Sequence, residues 1–442
     1  MRMEPKAVDV KPIEELHVEK DGKLAEKLMQ RRQTVIYSDG SEKDFAVKWN
    51  EGDLAAIDTA RTGTYEIEGT VVFPQYGDVL VEQRADPYVL RADDGYYYFT
   101  ASYPVCGSEE NRKKVGYDRI VLRRAKTIAG LRQASEVTIW HQKDSARVHR
   151  YVWAPELHRI GGSYYILFTA SVEENNVWGI RPHMLKCVGE DLMDPASWHT
   201  ADESNLYRVE GCGGDCLPFQ DFSLDMTYFE NRGRHYVAWA QKKSEFSDIY
   251  LAEIGANEPW KLTSPCVLLT RPEYPWEMQG NVKVNEGPIL LKNADKLYLA
   301  FSASAVDYNY CIGFLEASCE ADLLAPGAWK KYEYPFLTSD DFEDQCGPGH
   351  NSFTTDENGN VVLVYHARPF ACSNAQDAAG HYGRCSYVEP GKEALSDPCR
   401  HARAKGVNFA ADGLPVLHLT REQELPERFR LVKTKLIVEG ED

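Results

Sequence analysis

Three carboxylic acids stand at matching points of a repeating pattern: Asp86 in ADPYVL, Asp225 in SLDMTYF and Glu286 in NEGPILL. Each opens a short run of strand-forming residues. Carboxylates gathered in a concave site shift one another's pKa values, which separates a proton donor from a proton acceptor. Cleavage of a glycosidic bond needs that division: one carboxylic acid protonates the leaving oxygen while another carboxylate activates water or attacks. Taken singly, each acid has an ordinary explanation as a turn residue before Pro87, a loop cap, or a strand-end charge beside Gly287 and Pro288. Their equivalence within the repeat singles them out.

Two further residues share the position, Trp153 in WAPELH and His350 in GPGHNSF. After each of the five openings comes a Gly, Asn or Asp turn and then a stronger apolar run, so each opening begins a β-hairpin. A third run follows each hairpin (IVLRRA, HMLKCV, IYLAEI, IGFLEA, HARAKGV), and in four of the five a tryptophan comes next: Trp140, Trp198, Trp260 or Trp329. Four strands per unit is the content of a propeller blade. The openings lie farther apart than the ~40–50 residues of common propeller repeats, so the connecting loops are long. Closing five units into a ring leaves no sheet face bare and brings the openings to one mouth of a central channel. A pair of β-sandwiches with accidental similarity is the alternative. The DVLVEQ run ahead of the first unit is a candidate closing strand.

At such a mouth the Trp153 indole offers a floor for a sugar ring, and Tyr103, Arg368 and Trp276 are further candidate substrate contacts. Arg368 ends the fifth hairpin and could pair with a central carboxylate, lowering its pKa; an outward surface position is the plain alternative. Tyr274 and Trp276 in EYPWEMQG either flank a polysaccharide chain or pack their own loop. His350 is the candidate contact for a bound Ca2+ at the centre, which with one imidazole would draw most of its ligands from water. The chemistry itself requires no cofactor.

Residues 1–75 lie outside the repeat. Their SDGS turn between alternating strands and the later TGTY turn predict a small β-sandwich, with the five-bladed β-propeller occupying 76–442 of an all-β chain. Of the 442 residues, 50 are Lys or Arg and 68 Asp or Glu, a net charge of −18. So acidic a chain argues against nucleic acid and anionic membrane as partners, and no window approaches the ~18 apolar residues of a membrane helix. With 43% hydrophobic and 11% aromatic residues it has material for a large core. The 11 cysteines are an odd number, far short of the ~8–10% that marks a disulfide scaffold. Cys212 and Cys216 form C-x3-C with no second pair nearby, which reads as a loop with two ordinary thiols. A monomer is expected. The opening MRMEPKAVDVKPIEEL lacks the apolar core of a secretory signal, so the expected location is cytoplasmic if Met1 is the native start, and otherwise that of a secreted or cell-surface fragment.

At the repeat residues the chain resembles glycoside hydrolase family 43, and the likeness covers about residues 80–420. It implies a five-bladed propeller of inverting, exo-acting arabinofuranosidases, xylosidases and related enzymes. On that resemblance ADP places the general base at Asp86, SLDMTYF the acid that tunes and orients the donor at Asp225, and NEGP the general acid at Glu286. WAPE matches a sugar-contacting aromatic at Trp153, and GPGH the central histidine, often near calcium, at His350. NFAADGLPV resembles the family's closing strand, and the front segment resembles a group 4 bacterial Ig-like module. The implied substrate is a plant polysaccharide or oligosaccharide. Family xylosidases commonly carry an extra C-terminal β-sandwich, so α-L-arabinofuranosidase is the expected activity. β-Xylosidase or exo-galactanase is the runner-up, and a non-catalytic glycan-binding propeller the reading from another class. The RDP and EC signatures of sucrose- and fructan-active propellers are not found in the corresponding units.

Overall fold

The structure, a computed structural model, describes residues 2, 4–20, 22–104, 116–174, 176–212, 217–370 and 399–440. It divides into two units, Tyr76–Gly406 and a smaller one that combines Met1–Gln75 with Val407–Asp442. Strands dominate both. Among the described residues no helix is long and apolar enough to cross a membrane.

The larger unit is built on five antiparallel hairpins. They are Ala85–Arg91 with Tyr97–Ser102, Trp153–Ile160 with Ser163–Ser171, Ser223–Asn231 with Arg234–Lys243, Lys283–Asn293 with Lys296–Ala303, and Gln345–Thr355 with Val361–Pro369. The second strands are almost continuously buried, as in Tyr97–Ser102, because both faces pack on neighbouring sheets. Third strands follow each hairpin at Arg119–Ala125, Ile180–Lys186, Phe246–Ile254, Cys311–Ser318 and His401–Gly406, and the first four units add a fourth strand. Of the marker tryptophans, Trp140 lies within its fourth strand, whereas Trp198 and Trp329 sit in the preceding turns and donate to Leu192 and Leu323 carbonyls. Trp198 is fully buried, and replacing such a side chain by Ala costs about 3–5 kcal/mol.

The opening strands lie against one another in chain order, and the fifth lies against the first. Apolar clusters fill the spaces between consecutive sheets, and one of them joins Val362 and Val364 of the fifth sheet to Val89, Tyr97 and Phe99 of the first. The expected closing strand from DVLVEQ reduces to a single antiparallel bridge, Val81 to Ala402.

Each opening strand carries a bulge at its start. The register shifts fall at residues 86–87, 154–155, 225–226, 287–288 and 350–351, and the first residue of every pair has positive φ: Asp86 54°, Ala154 45°, Asp225 55°, Gly287 56° and His350 40°. A bulge inserts an unpaired residue and re-aims its side chain. Pro follows in three of the five, which suits a residue that donates no ladder hydrogen bond. The structural equivalents are therefore Asp86, Ala154, Asp225, Gly287 and His350. Trp153 and Glu286 stand one residue earlier, so the sequence alignment of the five openings was off by one at two of them.

In the smaller unit six strands join in the order Ala7–Val10, Arg32–Tyr37, Glu42–Trp49, Gly63–Val71, Leu431–Glu439 and Leu16–Glu19. Their buried residues alternate, as Gln33, Val35 and Tyr37 do, which is the period of a strand with one covered face. The SDGS turn forms as expected, with Asp39 accepting from the backbone and hydroxyl of Ser41. The expectation that the propeller runs to residue 442 is corrected here. Leu431–Glu439 pairs antiparallel with Gly63–Val71 and parallel with Leu16–Glu19, burying Val432, Leu436 and Val438. NFAADGLPV likewise does not extend a sheet of the larger unit; it forms a separate pair, Asn408–Phe409 with Pro415–Val416.

Candidate active site

The bulges gather Asp86, Asp225 and His350, and the residue before the fourth bulge adds Glu286. Nδ1 of His350 lies 3.5 Å from Oδ1 of Asp86 and 3.8 Å from Oδ2 of Asp225. Its backbone N–H donates to Ser302 Oγ at 2.7 Å. Burial disfavours the imidazolium, but the charges of Asp86, Asp225 and Glu286 outweigh it and raise the pKa of His350.

Asp86 is the most heavily held acid. Its Oδ2 accepts from Ser102 Oγ at 2.5 Å, and its Oδ1 lies 3.2 Å from Nη1 of Arg400. The His366 Nδ1 accepts the Asp86 backbone N–H at 3.2 Å. Burial alone would raise the pKa of this carboxyl, which is 8% exposed. His350 and Arg400 overcome that and hold it well below the usual carboxylate range. His366, pushed down to about 3 by burial, is neutral.

Asp225 and Glu286 shift the other way. Asp225 is 5% exposed and accepts the Gly287 N–H at 3.1 Å. Burial, with the Glu286 and Asp86 charges, lifts its pKa to about 7 against the pull of His350. Glu286 is half-buried, and its Oε1 accepts the Tyr310 hydroxyl at 2.7 Å. Burial raises its pKa, with the Asp86 charge adding to it, while the hydrogen bond from Tyr310 and the charge of His350 oppose the rise. Asp225 and Glu286 thus titrate as a pair, with macroscopic pKa values that belong to both. The neighbours of Asp86 favour its charged form while burial raises the other two acids, a division of the kind that separates a base from an acid.

The other predicted residues fall into place less evenly. Trp153 is 9% exposed and makes edge contacts with Tyr117 and Tyr151 at 6.0 and 5.6 Å. Tyr103 lies between two guanidiniums, Arg84 at 4.1 Å and Arg119 at 4.7 Å from its ring centre. Arg368 is buried, not an outward surface residue, and donates to the Val306 carbonyl at 2.7 Å. The guanidinium on Asp86 belongs to Arg400. Trp276 packs its loop: it stacks on Phe301 and on Tyr274, and donates to the Glu333 carbonyl at 3.0 Å. Cys216 lies outside the described residues.

Sequence reasoning passed over Arg400, Tyr310, Ser102 and His366. Ser102 had a signal, because TAS or SAS falls at the end of the second strand in three hairpins; Ser302, the first residue of SAS, stands opposite Glu286 as Ser102 stands opposite Ala85, and both serve the site. Arg400 and Tyr310 sit outside the hairpins and had none.

For a central calcium, Asn351 is the informative residue. It follows His350, is buried, and has neither amide atom bonded among the described residues. An orphaned buried amide next in sequence to His350 suits ordered water or a hydrated ion. No group of three His, Cys, Asp or Glu among the described residues is placed to hold a metal directly. His350 and Asn351 would therefore hold Ca2+ through water, adding positive charge near the acids.

The family model described as Glycosyl hydrolases family 43 matches residues 77–415. The chain belongs to that family. A second model, Bacterial Ig-like domain (group 4), matches residues 32–72. The family-43 chain is 41% identical over 299 residues to an extracellular exo-α-(1→5)-L-arabinofuranosidase of Streptomyces chartreusis, covering 67% of this chain and 83% of that protein. It is 36% identical over 345 residues to α-L-arabinofuranosidase 43 of Humicola insolens, covering 77% of this chain and 62% of that longer relative. The crystal structure of an α-L-arabinofuranosidase from Lactobacillus brevis superposes with a TM-score of 0.64 at 37% identity, covering 78% of this chain and 98% of the other.

Proposed function

We propose that the protein is an inverting, exo-acting α-L-arabinofuranosidase that removes terminal arabinofuranosyl groups, including those in 1,5 linkage, from arabinan, arabinoxylan or their fragments. One observation carries the reading: Asp86, Asp225 and Glu286 are gathered about His350, with Arg400 and His350 lowering the pKa of Asp86 while burial raises those of Asp225 and Glu286. The likeness to the Streptomyces, Humicola and Lactobacillus enzymes supports the choice of sugar. The catalytic unit is read as a five-bladed propeller and the smaller one as an Ig-like β-sandwich.

Asp86 accepts the proton of a water that attacks the anomeric carbon, and Ser102 and Arg400 fix the carboxylate that does so. Glu286 protonates the departing oxygen from the opposite face. Its half-exposed position lets the rest of the saccharide leave to solvent. Asp225, seated on the Gly287 N–H, keeps the pair protonated by like-charge repulsion. An inverting reaction needs about 6.5–9.5 Å between the carboxyls of Asp86 and Glu286, enough for the water.

Nitrophenyl α-L-arabinofuranoside should be cleaved in preference to the β-xyloside, with inversion visible by NMR as the first-formed anomer. Glu286→Ala should lose far more activity on saccharides, which are poor leaving groups, than on an activated phenolate. Equal losses on both would sink the acid assignment, and inertness towards every pentoside and galactoside would favour a binding module.

A further inference from the structure

In each sheet of the larger unit the loop from second to third strand returns to the end where the opening strand starts. Asp86, Trp153 and Asp225 lie at that end, and so does the loop that carries Trp178, between Ser163–Ser171 and Ile180–Lys186. Phe222, immediately before the strand Ser223–Asn231, lies there too. Trp178 is 58% exposed, the one aromatic among the strongly exposed large apolar side chains of the described residues. Exposed apolar surface beside a reactive centre marks a binding surface more often than a solvated face.

The indole is held in place. Its backbone N–H is capped by Asn176 Oδ1 at 3.1 Å, and its carbonyl accepts from Arg181 at 2.9 Å. Ser171 Oγ ties the loop from beneath through the carbonyls of Glu173 and Asn176. Phe222 meets the Trp178 ring edge-on at 5.4 Å, and Lys242 Nζ sits 5.5 Å from its centre. Phe222 and Val177 pack on the cluster of Trp153, Ala154 and Leu224. From Ala154 the path reaches the chemistry in two hydrogen bonds: its N–H to Ser102 Oγ at 2.8 Å, and that hydroxyl to Asp86. Along the same strip, the buried Trp153 indole N–H has no partner among the described residues. An unpaired buried donor is costly, and a sugar hydroxyl accepting from it would relieve that cost.

We infer that Trp178, backed by Phe222, is a stacking platform for a sugar ring of the substrate chain beyond the bond that is cut. The inference rests on the proposed activity and deepens it: this surface would make longer saccharides better substrates than small aryl glycosides. A flat, rigid ring at the rim binds the apolar face of a sugar at low entropic cost.

The test is the ratio of kcat/KM on arabinopentaose to that on nitrophenyl α-L-arabinofuranoside, measured in the full chain. A ratio is insensitive to the fraction of protein that is folded. Trp178→Ala should lower it about tenfold, the scale of one lost aromatic contact, while Trp178→Phe should keep it within about twofold of wild type. Wild type active on both substrates with an unchanged ratio in Trp178→Ala overturns the platform alone. Wild type inactive on both overturns the proposed activity, and the platform with it.

Discussion

The hydroxyl of Tyr310 donates to Oε1 of Glu286 at 2.7 Å, and the same phenol ring lies parallel to the imidazole of His366, 5.5 Å between centres and 8° between planes. His366 in turn accepts the backbone N–H of Asp86. One side chain thus touches the proposed acid and braces the support of the proposed base. Gly349 lies so close to this ring that a Cβ there would stand 2.2 Å from it, leaving the phenol little freedom to move.

Tyr310→Phe keeps the ring and its stacking but removes the donor. The hydrogen bond favours the carboxylate of Glu286, so its loss raises the pKa of the acid. The alkaline limb of kcat/KM should move to higher pH, and kcat should fall about tenfold as the carboxyl loses its fixed orientation. A pH-rate profile of the variant beside wild type decides this, and an unmoved limb would show that the hydrogen bond is idle.

Asp225→Asn should do the reverse. The Glu286 charge raises the pKa of Asp225, and since the repulsion is reciprocal an ionised Asp225 disfavours ionisation of Glu286. Removing one charge lets Glu286 ionise more readily, so the alkaline limb should shift down while kcat on saccharides drops by about 10²–10⁴, the range of general acid catalysis. In wild type the corresponding decline should set in as pH rises through about 7, where the pair loses its shared proton.

Arg400→Met addresses the other limb. Arg400 and His350 hold the Asp86 carboxyl low, so removing the guanidinium raises its pKa and moves the acid limb of kcat/KM upward. Arg400→Lys, which keeps the charge without the planar fork, should restore part of the limb's position. If the acid limb stays in place in Arg400→Met, Asp86 does not owe its ionised state to that neighbour.

Gly287→Ala probes the fourth bulge. At φ 56° a side chain is strained, and a Cβ would lie 3.3 Å from Cγ and Nδ1 of His350. The ring has little room to retreat, since Ser302 holds its backbone N–H. The left-handed conformation alone costs about 1–2 kcal/mol, so the melting temperature should drop by about 1–3 °C and activity with it. A variant as stable and active as wild type would mean that the bulge is looser than its geometry indicates.

The five hairpins were legible because turns and apolar runs are local signals, and Asp86, Asp225 and His350 followed from the repeat. Glu286 was found for a partly wrong reason. A bulge adds a residue to one strand only, so the shift that sets Glu286 and Trp153 one step back becomes visible only against the partner strand. Arg368 looked right because it ends a hairpin, yet the guanidinium at Asp86 arrives from the start of a third strand, a meeting of residues 86 and 400 that no local pattern announces. Trp276 likewise had a pattern compatible with two fates, and its contact with Phe301 and the Glu333 carbonyl chose between them.

The strand Leu431–Glu439, threaded between Gly63–Val71 and Leu16–Glu19, fixes an order of events in synthesis. Residues 1–75 leave the ribosome before the larger unit, but their sheet lacks an inner member until residues 431–439 have been made. The hairpins of the larger unit pair with near neighbours in sequence and can form meanwhile. A segment translated ahead of the larger unit therefore finishes folding after it. Until then it presents two open strand edges, which makes a ribosome stalled before residue 431 a source of aggregation-prone product.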